Sequence, residues 1–418
     1  MNTFTLVFLI ALGAAVALQL WLDRRQLRHV RAHRATVPPA FADSISPDAH
    51  QKAADYTVAK VRLGMVEQVF GALVLLGWTL AGGLDLLDGL WRGAGLGPVA
   101  TGVGVLVSLF VIGALIELPL AAWRVFRVEQ RHGFNRSTPG LFINDTLKQG
   151  LLALLFGAPL AAVVLWLMGH AGALWWLYAW AVWMGFTLLM LWAFPTFIAP
   201  LFNRFTPLAD EALAERIRRL LERCGFRAKE IFVMDGSKRS SHGNAYFTGI
   251  GNQKRIVFFD TLINQLTPEE IEAVLAHELG HFRHHHIRKR FLVIGSTSLL
   301  GLGLLGWLMG EPWFYTGLGV GTPSLWTALA LFLLVAPVFS LFAQPLMAAF
   351  MRRHEFQADD FAATQTGARD LIRALVKLYR ENASTLTPDP LYSAFHDSHP
   401  PAPVRVQNLS GKLANEGP

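Results

Sequence analysis

The sequence predicts a mainly α-helical membrane protein with about seven transmembrane helices and one polar α+β region. Hydrophobic residues make up 53% of the 418 residues, charged residues make up 16%, and the mean hydropathy is +0.37. This composition is more apolar than that of a usual soluble domain. The apolar residues form runs of about the length that crosses a bilayer. The stretch from Asn203 to Arg290 is polar instead, and it separates the fifth run from the sixth.

Membrane topology explains the excess of basic residues. The formal net charge is +7 and the isoelectric point is near 9.7, but Arg and Lys cluster mostly beside the apolar runs. No nucleic-acid-binding motif accompanies them, so we expect the lipid bilayer as a partner and no nucleic acid. The only cysteine, Cys224, excludes an intramolecular disulfide and a Cys-ligated structural zinc site, and we expect it to be a packing residue.

Three apolar runs occupy the N-terminal part of the chain, at Phe4 to Leu22, Leu63 to Gly83 and Pro98 to Trp123. Arginines follow the first run and none precedes it, which predicts a retained helix with its N-terminus outside and its Arg cluster in the cytoplasm. The loop before the third run is poor in positive charge, so the orientation stays consistent. Glu117 lies inside the third run and is expected to face protein or water, since a charge is costly in lipid.

Four more apolar runs follow, at Gly150 to Met168, Leu174 to Pro200, Phe291 to Met309 and Leu325 to Phe350. A tight loop joins the first two, which predicts an antiparallel pair. Arg352 and Arg353 follow the last run, again on the expected cytoplasmic side. Because the number of spans is odd, the polar region and the C-terminal tail are predicted to meet at one membrane face.

The polar region is predicted to contain a helix and a small sheet. Asp210 to Cys224 has the pattern of an amphipathic helix, while Glu230 to Met234, Ala245 to Ile250 and Arg255 to Phe259 have that of short strands. Gly249-Ile250-Gly251-Asn252 supplies turn residues for a hairpin. We therefore expect a small antiparallel sheet that leads into the next helix.

That next helix contains the motif His277-Glu278-Leu279-Gly280-His281. Thr267 to Glu270 has the features of a helix start, with Thr267 as N-cap and Glu270 closing a capping box. Residues four apart share one face of a helix, so His277 and His281 can bind one metal ion while Glu278 lies beside them. This pattern is typical of zinc metallopeptidases.

A hydrolytic zinc site takes three protein ligands and leaves one position open for water. The third ligand must be brought to the motif by folding, and Glu355, just beyond the last apolar run, is the best-placed donor. Asp359 lies four residues further on the same helical face and can accept a hydrogen bond from a ligand histidine. We therefore predict one Zn²⁺ per chain, bound by His277, His281 and Glu355, and no other cofactor.

Two nearby clusters invite other interpretations. The run His284-His285-His286 could be a metal site, but we favour a basic cluster at the membrane interface. Ser240, Ser241 and His242 could suggest a serine hydrolase, but no nucleophile-elbow pattern accompanies them, and a structural loop is favoured.

The motif belongs to an ordered set of segments spread over most of the chain: Glu117-Leu118-Pro119, His132-Gly133-Phe134-Asn135, Ser237 to Tyr246, His277 to His281, Glu355 to Asp359, and His399-Pro400-Pro401. With this set, the chain resembles the membrane-embedded CAAX prenyl proteases of the Ste24 type, in peptidase family M48. The single motif is moderately specific, whereas the ordered set is highly specific.

The resemblance implies seven helices forming a barrel-like, water-filled chamber, capped by a zincin-like α+β metallopeptidase domain. It also implies that Asn244 contacts the substrate backbone or the oxyanion, and that His399 polarises the scissile carbonyl. Asp359 is implied as the partner of the zinc site, and Arg405 as part of the same region. Glu278 is expected to take a proton from the attacking water and to deliver one to the leaving amine.

We divide the chain into an N-terminal membrane region with five spans, a cytoplasmic zincin-like catalytic domain, two further spans, and a C-terminal catalytic segment, at 1–202, 203–290, 291–350 and 351–418. The predicted protein is a monomer in a bacterial inner membrane with its site on the cytoplasmic side. Its expected substrate is a peptide or protein that is cleaved near the C-terminus, either CAAX-type and prenylated or otherwise delivered by the membrane.

Two alternative functions agree less well with the sequence. An M48 quality-control protease would need no prenyl group, but the number of spans and the segments His132–Asn135 and His399–Pro401 favour the Ste24 type. A transporter or non-catalytic scaffold is disfavoured because the motif and Glu355 are intact and no paired half-repeat is found.

Overall fold

The computed structural model describes residues 2–226, 230–248 and 255–415. Within these residues, seven helical segments are long and apolar enough to cross a membrane: Thr3–Ala32, Pro47–Trp78, Pro98–Glu129, Pro139–His170, Gly172–Leu201, His286–Leu308 and Leu325–Thr366. Each segment overlaps one of the seven predicted apolar runs. The predicted number of spans is thus confirmed, and the chain is a multi-pass membrane protein.

In chain order, the helices are α1 (Thr3–Ala32), α2 (Pro47–Trp78), α3 (Gly83–Gly93), α4 (Pro98–Trp123), α5 (Pro139–His170), α6 (Trp175–Ala193), α7 (Glu211–Arg223), α8 (Asp260–Gln265), α9 (Pro268–Arg283), α10 (His286–Leu308), α11 (Pro312–Gly317), α12 (Leu325–Ser340), α13 (Gln344–Thr366), α14 (Ala368–Glu381), α15 (Pro390–His396) and α16 (Ala402–Asn415). The strands are β1 (Phe205–Pro207), β2 (Glu230–Met234), β3 (Ala245–Thr248) and β4 (Arg255–Phe259).

The first two membrane helices extend well beyond their apolar runs. Asn2 caps α1 by accepting a hydrogen bond from Thr5 N at 3.0 Å, and Ser46 caps α2 by accepting one from Ala49 N at 3.2 Å. The 30 residues of α1 span about 45 Å at 1.5 Å per residue, whereas the hydrocarbon core is about 30 Å thick. The helix therefore projects out of the membrane and carries the Arg cluster with it.

The membrane helices surround a cavity of about 1280 Å³ whose lining is almost entirely apolar. Side chains of α1, α4, α5, α6, α10, α11 and α12 contribute to that lining. The buried Asp88 on α3 accepts hydrogen bonds from Trp326 Nε1 at 2.6 Å and from Arg92 Nε of the same helix at 2.7 Å. The contact with Trp326 joins α3 to the start of α12. A chamber between the membrane helices is therefore present, and its lining is apolar.

The last span continues directly into the polar part of the protein. Helix α12 passes through a short 3₁₀ segment, Leu341–Ala343, into α13, and Pro337 removes one backbone donor just before that segment. We expected the apolar run to end at Phe350, but the helix continues to Thr366. One continuous structure thus carries both Glu355 and Asp359 to the site.

The sheet order is β1-β2-β4-β3, and the prediction of an antiparallel sheet is wrong in one respect. β3 and β4 are antiparallel, and so are β1 and β2, but β2 and β4 are parallel. The chain crosses over after β2, so β4 returns beside it in the same direction. The hairpin turn predicted at Gly249–Asn252 lies outside the described residues.

Helix α9 lies at the centre of the polar domain. Its apolar face carries Ile271, Leu275 and Leu279, which are buried in one core with Phe258 of β4 and Leu371 of α14. On another side it packs along α13. The motif helix is therefore held between the sheet and the helix that continues from the last span.

Candidate metal centre

Helix α9 begins where the sequence predicts it. Thr267 Oγ1 accepts a hydrogen bond from Glu270 N at 3.4 Å, and Thr267 N donates to Glu270 Oε2 at 2.8 Å, so both halves of the capping box are formed. Lys377 Nζ on α14 also contacts Glu270 Oε2, at 2.7 Å. The helix start is fixed by these contacts, and the motif lies in the second half of the helix.

His277, His281 and Glu355 bring two ring nitrogens and a carboxylate together. His281 Nε2 lies 3.2 Å from His277 Nε2 and 3.4 Å from Glu355 Oε1, while Glu355 Oε2 lies 3.5 Å from His277 Nε2. A tetrahedral zinc ion with bonds of about 2.0–2.1 Å keeps its ligand atoms about 3.3 Å apart. Among the described residues, this is the one such group of His, Cys, Asp and Glu that could hold a metal ion. Its spacing and donor chemistry fit zinc.

The other ring nitrogen of His277 contacts a carboxylate. His277 Nδ1 lies 2.8 Å from Asp359 Oδ1, and Asp359 in turn pairs with Arg405, whose Nε and Nη2 lie 2.8 and 2.5 Å from its oxygens. All three side chains are buried. Burial by itself lowers the pKa of His277, but hydrogen bonds to the Asp359 and Glu355 carboxylates outweigh burial and raise this pKa to about 9.

His281 lies in a different electrostatic environment. Burial, followed by the positive charge of neighbouring His277, lowers the pKa of His281 to about 3, so its ring is neutral at physiological pH. Its Nδ1 lies 2.9 Å from Nδ1 of His286, whose Nε2 lies 2.8 Å from Gln357 Oε1. These contacts of His286 and Gln357 were not predicted from the sequence. The one feature that could have indicated them is a histidine five residues after His281.

Glu278 is the acidic residue of the motif. It lies between the two cluster histidines in sequence, is partly exposed, and has no hydrogen bond or ion pair within the described parts of the chain. Burial raises its pKa above the usual glutamate value, which makes it a stronger base once it is deprotonated.

The structure places His399 and Asn244 differently around the cluster. His399 follows α15, is largely exposed, and brings its Nδ1 to 2.6 Å from Glu355 Oε2. Asn244 is exposed immediately before β3, and its Oδ1 accepts a hydrogen bond from Ala245 N at 2.8 Å. β3 packs against α9 and forms one end of the sheet. His399 therefore contacts the cluster directly, whereas Asn244 lies just before the strand that packs against α9.

Gly280 allows α9 and α13 to approach closely. A Cβ atom at this position would lie 2.9 Å from Ala358 Cα and 3.1 Å from Ala358 O, both of which belong to the backbone of α13. Replacing a glycine by alanine usually stabilises a helix by about 1 kcal/mol. For Gly280→Ala we expect the free energy of unfolding to fall by about 1–3 kcal/mol, because α13 must move. Since α13 carries Glu355, metal affinity should also fall. Thermal unfolding and metal titration measure the two effects.

Gly411→Ala is the matched control, since Gly411 lies in α16 with no atom within 4 Å of the added Cβ. It should be neutral or stabilising and should leave metal affinity unchanged. If Gly280→Ala behaved in the same way, the close approach of the two helices would not be what the glycine provides.

Comparison with known proteins covers both parts of the chain. A family model described as CAAX prenyl protease N-terminal, five membrane helices, matches residues 26–204, and one described as Peptidase family M48 matches residues 207–413. The chain is 35% identical over 404 residues to CAAX prenyl protease 1 homolog from Arabidopsis thaliana, with 94% of each chain covered. It is 32% identical over 431 residues to CAAX prenyl protease 1 from Saccharomyces cerevisiae, with 95% of this chain and 93% of the relative covered.

A solved structure matches the fold as a whole. The crystal structure of Ste24p from S. mikatae has a TM-score of 0.89 and 31% identity, with 98% of this chain and 99% of that chain covered. Both the membrane helices and the polar domain thus match that structure in one superposition. The transporter interpretation is therefore not favoured. The chain belongs to the CAAX prenyl protease family of M48 membrane metalloproteases.

Proposed function

We propose that this protein is a zinc endopeptidase that cleaves CAAX-type, prenylated or otherwise membrane-delivered proteins near their C-terminus. The observation that carries the proposal is the cluster of His277 Nε2, His281 Nε2 and the Glu355 carboxylate, with distances of 3.2 Å between the two nitrogens and 3.4 and 3.5 Å from them to the two carboxylate oxygens, beside Glu278. Two imidazoles, each neutral when it binds the ion, and one carboxylate are a ligand set that suits hydrolytic zinc.

Zinc, when bound there, supplies a Lewis acid that polarises the peptide carbonyl and lowers the pKa of water. Glu278 takes the proton of the attacking water, and its burial favours the protonated form that then delivers a proton to the leaving amine. Asp359 accepts the His277 Nδ1–H and thereby keeps Nε2 of that ring directed at the ligand cluster. No covalent enzyme intermediate is needed.

The substrate is proposed to bind along β3. This strand has β4 on one side and is the last strand of the sheet, so its other edge can accept an extended peptide. Asn244, at its start, can donate its amide to the substrate backbone or to the oxyanion. His399 can donate to the same carbonyl once its ring turns from Glu355, and one good donor of this kind contributes about 3 kcal/mol.

The charge pattern of the chain supports the proposed location of the site. The Arg cluster after the first run and Arg352-Arg353 before Glu355 favour a cytoplasmic site, and we propose a bacterial inner membrane as its location. The catalytic domain at 203–290 and the segment at 351–418 are proposed to act together in a monomer. The relatives are named CAAX prenyl proteases, which favours a lipid-modified substrate over the quality-control alternative.

A comparison of two peptides tests the substrate class. We expect the purified, zinc-loaded protein to cleave a farnesylated CAAX peptide faster than the same peptide without the lipid, because the apolar chamber can bind the prenyl chain. The Glu278→Ala variant is the control for contaminating protease and should cleave neither. Equal rates for the two peptides would support the quality-control function, and equal cleavage by wild type and Glu278→Ala would exclude the metallopeptidase proposal.

Zinc binding should depend on pH through His277. Its pKa of about 9 in the metal-free protein means that the ring is protonated at pH 7 and must lose a proton to bind zinc, whereas the neutral His281 loses none. We therefore expect zinc affinity to rise about tenfold per pH unit between pH 6 and pH 8. Calorimetry in buffers of different ionisation enthalpy should detect the release of about one proton, and a pH-independent affinity would contradict this expectation.

A further inference from the structure

We propose that His286, held by Gln357, is a positioning residue that fixes the ring of His281 in the tautomer that binds zinc. The two rings meet at their Nδ1 atoms, 2.9 Å apart, and His286 Nε2 lies 2.8 Å from Gln357 Oε1. The inference rests on the metal site proposed above. It assigns to the histidine run a function that neither the motif nor the ligand set requires.

The donor and acceptor roles in this contact follow from the ligand cluster. His281 directs its Nε2 at His277 and Glu355, so a bound metal ion needs that nitrogen without its proton. The proton of a neutral ring then lies on Nδ1, and His281 donates to Nδ1 of His286. His286 must accept there, so its own proton lies on Nε2 and is donated to the Gln357 oxygen. In the opposite tautomer of His286, two N–H groups would face each other.

The surroundings of His286 hold its ring in this orientation. It is the first residue of α10 and is 2% exposed. The ring of His354 stacks on it with centroids 4.0 Å apart and an interplanar angle of 12°. His285, just before it, has a φ of 57°, a left-handed conformation that turns the chain sharply between α9 and α10. This turn brings His286 back against His281.

The two ligand histidines thus differ in their partners. His277 is held by Asp359, a buried carboxylate paired with Arg405. His281 has the more exposed side chain, 21% against 9%, and a neutral ring as its partner. Since His281 contacts no second carboxylate in the described residues, His286 is the group that can keep its ring from rotating. Outer partners of this kind typically contribute about 10- to 100-fold to metal affinity or activity.

His286 therefore does not belong to the interface cluster that we expected the histidine run to form. His285 is exposed, but His286 is buried and hydrogen-bonded. A second metal site is not indicated either, because the metal-compatible group found among the described residues is His277, His281 and Glu355. His286 contacts His281, which belongs to that group.

Zinc affinity measured by competition with a chelator tests the inference in the full-length protein. We expect His286→Leu to weaken zinc binding about 10- to 100-fold, because the His281 Nδ1–H then has no acceptor. His286→Asn should recover most of the loss, since its side-chain oxygen can lie where Nδ1 of histidine lies and can accept the same hydrogen bond. Gln357→Leu changes an exposed side chain and should weaken binding by about tenfold.

His285→Asn is the matched control, since His285 is exposed and asparagine tolerates the left-handed conformation. It should leave zinc affinity unchanged. The visible absorption of the Co²⁺-substituted protein provides a second measurement, and it should change in His286→Leu and return in His286→Asn.

Wild-type affinity in His286→Leu, or equal losses in His286→Leu and His286→Asn, would overturn the inference while leaving the zinc site intact. A wild-type protein that binds no zinc would instead overturn the proposed function. If His286→Leu does not fold, Gln357→Leu and His286→Asn decide: loss in the first with near-normal binding in the second supports the inference, and unchanged affinity in Gln357→Leu contradicts it.

Discussion

Glu278→Gln is expected to lower kcat for peptide hydrolysis by about 10²–10⁴-fold while the protein still binds one zinc ion. The substitution preserves the size of the side chain but removes its ability to take a proton from water. Zinc should remain because the ligand cluster consists of His277, His281 and Glu355, and Glu278 is not part of it. Zinc content by elemental analysis and single-turnover rates on a farnesylated peptide measure the two quantities.

Glu269→Gln provides the matched control on the same helix. Glu269 lies in the first turn of α9, is partly exposed, and forms a surface ion pair with Arg216 at 2.7 Å. Its substitution should leave kcat and zinc content unchanged, because exposed ion pairs contribute little. Glu278→Gln with a rate within tenfold of wild type would show that another group takes the proton.

The sequence predicts the local parts of this site because local chemistry determines them. Thr267 and Glu270 start the helix through contacts three residues apart, and the four-residue spacing of His277 and His281 places both on one face. The seven spans are predicted for a similar reason, since each is a continuous apolar run. In each of these elements, the residues that carry the sequence pattern are the same neighbouring residues that form the structure.

Elements that depend on tertiary contacts could not be predicted in this way. The parallel pairing of β2 with β4 follows from a crossover, which the alternation of side chains does not encode. The contact of His286 with His281 requires the sharp turn at His285, and the pairing of Arg405 with Asp359 joins residues 46 positions apart. The likeness to a known family indicated the region of Arg405 but not its partner.

Asp359→Leu is expected to lower the free energy of unfolding of the metal-free protein by about 3–5 kcal/mol. Asp359 is fully buried, and its carboxylate accepts from both Nε and Nη2 of Arg405, which is itself 7% exposed. Removing the carboxylate leaves the guanidinium buried without its charge partner. Thermal unfolding should be measured without metal, because bound zinc would add its own stabilisation.

The double variant Asp359→Leu with Arg405→Met separates the two functions of this carboxylate. Replacing both members of a buried ion pair by apolar side chains is often neutral or stabilising, so most of the lost stability should return. Zinc affinity should not return, because the Nδ1–H of His277 still lacks its acceptor, and we expect it to stay about 10- to 100-fold below wild type. If affinity recovered together with stability, Asp359 would act on zinc only through the stability of the fold.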